Sequence, residues 1–548
     1  MTMPPLSADA RWTSPTATSR HALSGRAARA ILETAAVLAV LGDLLLRDGP
    51  VGLAFPLWIA TLALCATALT WRCNRTVTPS AAGWLLAAFV FSCGTAWRSA
   101  DELKALDVLA TAFSLGMAAV AIGRPQAGLL APRLRTTLNA ALAELRQVAT
   151  GVLPLVFREV VARETRTRAG QGALRALRPA VLAAVVLFVF GALLRAADPL
   201  FASFVALPAF DMDVVLSHVV FMGFLGWIVA GWARGAILAP ADIENANEAA
   251  DSLPISLGMA DVTATLGTLV VLFGAFVLAQ LGWFFGGERL LQARTGLTAA
   301  AYARGGFFQM IWVVLLVVPM LVGTRALLRP GAALARRHSA LALPVVGLLL
   351  VMVASALLRM KLYVHYYGLT LERFYPLVFM GWLVAVLLWL AATVLRGWPR
   401  PFVAGAVVSG LVMLGALNIA DPDAIVARVD VARGQHTRAG MAPLDLAHLS
   451  ALSGNAADAA VRAVIAPPAG ATGQCEGARA LLRRWGPGSA IDRRVGEEAT
   501  WRTWNAGDAR GLAAVQAHAA TLRAITHERC GKTPTAGPAV TGAGSAQR

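Results

Sequence analysis

The chain has 548 residues, 57% of them hydrophobic and only 14% charged. A soluble globular protein carries about 25% charged residues, so much of this surface is expected to face lipid. The net charge of +17 is nearly all arginine, with only three lysines, and it is scattered between apolar runs. That spread argues against the single basic face of a soluble nucleic-acid binder.

In chain order, residues 1–29 are rich in Ser, Thr, Pro, Ala and Arg. They are expected to be a disordered cytoplasmic tail, too polar for a cleaved signal peptide. Eleven apolar runs follow, near 30–46, 51–71, 81–97, 105–122, 179–195, 214–233, 262–284, 306–323, 340–358, 374–395 and 401–419. About 20 apolar residues cross a bilayer core as a helix. The expected fold is therefore an all-α, polytopic transmembrane helical bundle of about 11 spans with a small helical C-terminal extramembrane domain. Spans 1–4 occupy 30–122 and spans 5–11 occupy 179–419. The first run is the weakest, carrying Glu33 and Asp43.

Span ten shows a membrane edge most clearly. Arg359 and Lys361 precede Tyr363, Tyr366, Tyr367 and Tyr375, and an uncharged apolar run then extends from Phe374 to Leu395. Tyrosine favours the lipid–water interface. With the N-terminus placed in the cytoplasm, cytoplasmic segments hold 23 Lys+Arg and outer loops hold ten. Positive charge favours the cytoplasmic side, so the expectation is a cell inner-membrane protein with a cytoplasmic N-terminus and a periplasmic C-terminus.

The loop 123–178 carries ten Arg against three Glu, and Leu142, Leu145, Val148, Val152 and Val156 recur at three- or four-residue spacing. Two readings stand: a basic amphipathic helix lying on an anionic inner leaflet, or an ordinary cytoplasmic helical hairpin. Pro154 is expected to break or kink that helix near its end. Residues 420–530 read as a small helical domain, with helices near 446–452, 456–465, 477–485 and 509–530; 531–548 reads as a disordered tail. If this domain lies outside the cell, Cys475 and Cys530 suit a disulfide; otherwise they are free thiols.

Ala192-Leu193-Leu194-Arg195 with Val220-Phe221-Met222-Gly223 is echoed by Ala356-Leu357-Leu358-Arg359 with Val378-Phe379-Met380-Gly381. This is either a parallel repeat or chance in an Ala/Leu-rich chain. Among polar groups, His218 within span six reads as a hydrogen-bonded neutral histidine or as a proton relay. Gly405 and Ser409 suit close helix packing. Around the outer ends of the spans stand Asp198, Asp211 and Asp213; Arg359, Lys361, Tyr367, Glu372 and Arg373; and Asp421, Asp423 and Arg428. Converging, they would form a mixed-charge cluster able to bind a metal, a headgroup or a substrate; apart, they are a solvated rim. No dinucleotide, phosphate-loop, zinc-protease or nucleophile-elbow motif occurs, so no catalytic residue, metal ligand or cofactor is assigned.

Several phrases resemble a bacterial membrane family catalogued as domain of unknown function 4173, related to number 4153. They are Ala197–Ala202 (ADPLFA), Tyr302–Phe308 (YARGGFF), Leu362–Val364 with Tyr367–Thr370, Phe379–Trp382 (FMGW) and Asp421–Ile425 (DPDAI). The resemblance covers roughly 30–465 and departs from the family pattern at Asp421 and Asp430, where that pattern carries Asn. It implies a multi-pass inner-membrane protein and brings no activity with it. The readings of function are then a transporter-like or sensory membrane component, a membrane-embedded enzyme acting on a lipid-linked substrate at the outer face, or a structural partner of another membrane protein. The lipid bilayer is the partner common to all three.

Overall fold

The computed structural model describes residues 17–47, 52–123, 134–156, 212–238, 257–295, 307–328, 331–397, 400–436, 441–495 and 501–530, with isolated positions in 183–194. Within these it is helical throughout. The pairings Leu257–Leu328 and Asp445–Thr472 are isolated bridges, not strands. The expected span at 179–195, the tail 531–548, Asp198, Asp211 and most of the 192–195 echo lie outside the described residues.

The chain divides into two compact units. The first comprises Met1–Pro50, Ala54–Ser92 and Ala110–Leu253; the second comprises Val51–Leu53, Cys93–Leu109 and Pro254–Arg548. In the first, α1 (Ala17–Leu46) packs along α6 (Met212–Ile237) and beside α2 (Ala54–Arg72). α3 (Pro79–Trp97) and α4 (Asp101–Gly123) run through both units. α5 (Leu134–Thr150) lies against α6. One expectation is corrected here: residues 17–29 are not a disordered tail, because α1 already begins at Ala17. The stretch is alanine-rich, favouring helix, and Ala27, Ala28 and Ile31 are buried.

The second unit holds α7 (Met259–Thr295), α8 (Phe307–Leu327), α9 (Ala332–Tyr367), α10 (Leu371–Thr393) and α11 (Arg400–Ala420). Among the described residues eight helices are long and apolar enough to cross a membrane, and a shorter apolar one spans Gln309–Arg325. α1 is not one of the eight. These helices leave large apolar side chains outward, such as Val271 at 72% and Ile419 at 74% exposure. Such surface belongs against lipid, and the chain is a membrane protein. Trp382 Nε1 donates to Ser409 Oγ at 3.1 Å and the Trp389 ring lies on Gly405, so this small-residue pair packs α11 tightly against α10.

After α11 the chain turns into α12 (Pro422–Gly434), α13 (Leu446–Ala451), α14 (Ala457–Ile465), α15 (Gln474–Trp485), α16 (Ala490–Val495), α17 (Ala506–Ala517) and α18 (Ala519–Cys530). The single helix expected over 509–530 is two, parted at His518. One core joins Leu446, Leu449, Val461, Val464, Leu481, Trp485, Val515 and Leu522 to Val426 of α12 and Leu369 before α10. Cys475 and Cys530 are bonded across a sequence separation of 55, tying α15 to α18. Replacing both by Ser is expected to cost about 4 kcal/mol on the chain-entropy account of such a loop. The measurement is the temperature at which trypsin begins to cut 446–530 in the intact, detergent-purified chain.

Candidate functional site

The apolar course of α11 ends at a polar knot. The last carbonyls of any helix lack partners within it, and here a side chain from far away supplies them. Arg98, in the short turn between α3 and α4, donates Nε to Asn418 O at 2.6 Å and Nη2 to Ile419 O at 3.2 Å. Its Nη1 lies 2.5 Å from Asp421 Oδ2, in an ion pair with both side chains largely buried. Asp421 in turn caps α12, with Oδ1 accepting from Ala424 N at 3.4 Å and Pro422 in the first helical position. Its backbone is left-handed, φ 63°, a conformation Asp and Asn tolerate better than other side chains. The Asn of the resembled pattern meets the same demand, so the departure at Asp421 keeps the cap and adds a charge for Arg98.

A second layer sits deeper in the apolar helices. Asp107 of α4 is fully buried, and its Oδ1 accepts from Asn418 Nδ2 at 2.7 Å. Gly94 of α3 lies directly on it: an added Cβ would stand 2.7 Å from Asp107 Cγ and 3.0 Å from Asn418 Oδ1. Asn418 Oδ1 and the Tyr375 hydroxyl of α10 are buried without hydrogen-bond partners. Tyr375 lies within electrostatic reach of Asp423, Glu102, Asp421 and Asp107. Asp423 Oδ1 accepts from Ser453 N at 2.8 Å, while Oδ2 is buried and unpartnered. Burial pushes the Asp423 carboxyl above its ordinary range, against the pull of the Ser453 N–H. Asn505, from the C-terminal helices, donates to Thr95 O at 2.8 Å and Arg98 O at 2.7 Å.

This knot lies almost wholly inside the part of the chain that a known family recognises. The family model for Domain of unknown function (DUF4153) matches residues 85–463. The chain belongs to that family. Neither the curated proteins nor the solved structures searched contain a match. The matched family is the one related to number 4173. Its match includes Arg98, Asp107, Tyr375, Asn418, Asp421 and Asp423 and ends before Asn505.

Of the span-end residues expected to converge, the structure brings Asp421 and Asp423 into the knot. Arg373 stands apart, donating to Tyr367 O at 3.1 Å and Gly368 O at 2.5 Å and lying 4.3 Å over the Tyr363 ring. Nearby, Asp430 Oδ1 accepts from Leu369 N at 2.7 Å, a bond the Asn of the resembled pattern could equally accept. Arg359 donates to Ser355 Oγ at 3.2 Å on its own helix. Lys361, Glu372 and Arg428 are exposed, and so is Asp213, which belongs to the other unit. Among the described residues no three of His, Cys, Asp and Glu are grouped to hold a metal. Arg98, Asp107 and Asn418 escaped sequence reasoning, although Asp107 and Asn418 each interrupt an apolar run.

Among the described residues the first unit carries two buried acids of its own. Asp43 of α1 is buried, and its Oδ2 lies 2.5 Å from His218 Nδ1 of α6. Asp43, one of the two acids that weaken the first apolar run, and His218 of span six are thus each other's partners. Glu144 of α5 is 3% exposed, its two oxygens unpartnered, seated where a side chain on Gly235 would stand. Next to it, Arg234 Nη1 donates to Gln147 Oε1 at 2.5 Å. Desolvation raises the Glu144 carboxyl from 4.5 to about 8.

A folded-state value above the unfolded one means the native protein holds this proton more tightly. The Glu144 contribution is therefore whole below pH 4.5 and lost as pH rises through about 8. Thermal unfolding in detergent is expected to show that decline in the wild type and a flatter profile in Glu144→Gln. At the knot, Arg98→Met strands the Asp421 carboxylate and is expected to destabilise by about 3–5 kcal/mol. Asp421→Asn keeps the cap acceptor and the left-handed backbone, so it should lower the unfolding temperature less. Equal losses from the two would refute the charge argument.

Proposed function

We propose that this DUF4153 protein is a transporter-like integral membrane protein whose cycle is coupled to proton exchange at Asp107. The observation that carries the reading is a fully buried carboxyl within an apolar helix, held by Asn418 and within electrostatic reach of the Tyr375 hydroxyl. Ionisable groups at such depth are costly and are kept for function. Asp423, Glu102 and Asp421 lie with Asp107 within electrostatic reach of Tyr375, which gathers further acids around the same hydroxyl. Protonation of Asp107 adds an O–H donor while the other carboxyl oxygen can still accept from Asn418 Nδ2, which gives the site two protonation states.

The setting we infer is a bacterial inner membrane, with the N-terminus cytoplasmic and the C-terminal helices periplasmic. The arginine distribution supports this, as does the Cys475–Cys530 bond, since disulfides persist in oxidising compartments. A sensory reading rests on a different observation. Asn505 clamps the C-terminal helices to the Arg98 turn, so displacement of those helices would be felt at the knot.

The deciding experiment uses proteoliposomes containing a pH-sensitive dye, with a proton gradient imposed and a panel of amino acids, sugars, metal ions and lipid precursors supplied. Solute-dependent proton flux is expected in the wild type and in Asp213→Asn. It should fall at least tenfold in Asp107→Asn, an isosteric change that cannot exchange the proton. Flux unaffected by Asp107→Asn, or absent for every solute, would overturn the proposal.

A further inference from the structure

α5 is built the wrong way round for a soluble helix. Its buried side carries Glu144 and Gln147, at 3% and 4% exposure, while Leu142 and Leu145 stand out at 63% and 64%. Leu153, in the short helical turn that follows, is 48% exposed. A water-facing helix would bury those leucines and expose the polar pair. Leu142 and Leu145, two positions of the stripe that suggested an amphipathic helix, face away from the described helices of the unit.

The end of the unit on which α5 sits is basic. The Asp43–His218 contact sets the C-terminal end of α1 beside the N-terminal end of α6, so the two helices run antiparallel. The opposite end of the unit gathers the start of α1, the end of α2 and the end of α6. The Glu33–Arg72 pair at 3.9 Å and the Arg75 Nη1 bond to Ala236 O at 3.4 Å mark that end. Arg26, Arg29, Arg72 and Arg146 are exposed there, with Trp71 67% exposed at the close of α2. Of the acids named here, Glu33 lies against Arg72 and Glu144 is buried.

We propose that this end of the first unit is a docking surface for an anionic phospholipid leaflet, with the Leu142–Leu145 face of α5 set into the headgroup–acyl boundary. Outward leucines supply the apolar anchor, exposed arginines meet lipid phosphates, and Trp71 has the amphipathic ring that favours this depth. α5 is fastened by Gln147–Arg234 and the Trp227 Nε1 bond to Ala149 O at 3.0 Å, both to a membrane-crossing helix. That continuity with the spans selects a leaflet over a soluble peptide as the occupant.

The test is hydrogen–deuterium exchange of 134–150 in the full chain, in nanodiscs of phosphatidylcholine alone and with added phosphatidylglycerol. Exchange is expected to slow several-fold with the anionic lipid. Leu142→Glu/Leu145→Glu should abolish the slowing, and Arg72→Glu/Arg146→Glu should weaken it. These positions are exposed, so the variants keep the fold, which unchanged exchange in α6 would verify. Equal exchange in both discs would overturn the proposal. So would slowing that depends on the number of protein copies per disc, which would make the face a contact between copies of the chain.

Discussion

The structure of the second unit depends on how one helix end is satisfied. The C-terminal end of α11 carries the negative pole of its dipole and carbonyls with no intrahelical partner. Arg98 meets both needs, bonding Asn418 O and Ile419 O and pairing with Asp421. Asp421 then starts α12 from the next position. One guanidinium thus closes a membrane helix and one carboxylate opens an extramembrane helix, with a single ion pair between them. An apolar side chain here would leave two helix-end carbonyls and the Asp421 carboxylate without this partner.

The same economy recurs with less satisfaction around this pair. Asp107 and Asn418 share one hydrogen bond, yet Asn418 Oδ1, Tyr375 Oη and Asp423 Oδ2 remain buried without partners. Buried polar groups are normally paired. In the first unit Glu144 is the counterpart, a carboxyl with no bond at all set against the backbone of Gly235.

Much of the architecture was legible in the sequence, because apolar runs of span length and amphipathic repeats are local signals. The helices at 446–451, 457–465 and 474–485 follow their periodicity. α5 stops at Thr150 because Pro154 has no N–H to offer that carbonyl. The site was less legible. The loops at the span ends hold the conspicuous acids, and among the described residues Asp421 and Asp423 are the ones of these that belong to the knot. Asp107 sits inside a span, and its meaning depends on Asn418, 311 positions away. Which face of α5 turns outward was equally hidden, since periodicity marks a stripe without saying what it meets.

The sequence separation across the knot has a consequence for biogenesis. Arg98 and Asp421 are 323 positions apart, and Asp107 and Asn418 are 311 apart. A ribosome delivers α3 and α4 to the insertion machinery long before α11 exists. For that interval an arginine and an aspartate are lodged in or beside the bilayer without their native partners. The nascent protein therefore passes through a stage in which its first helices are only provisionally seated, and a stalled or truncated chain would present those unmet charges to membrane proteases.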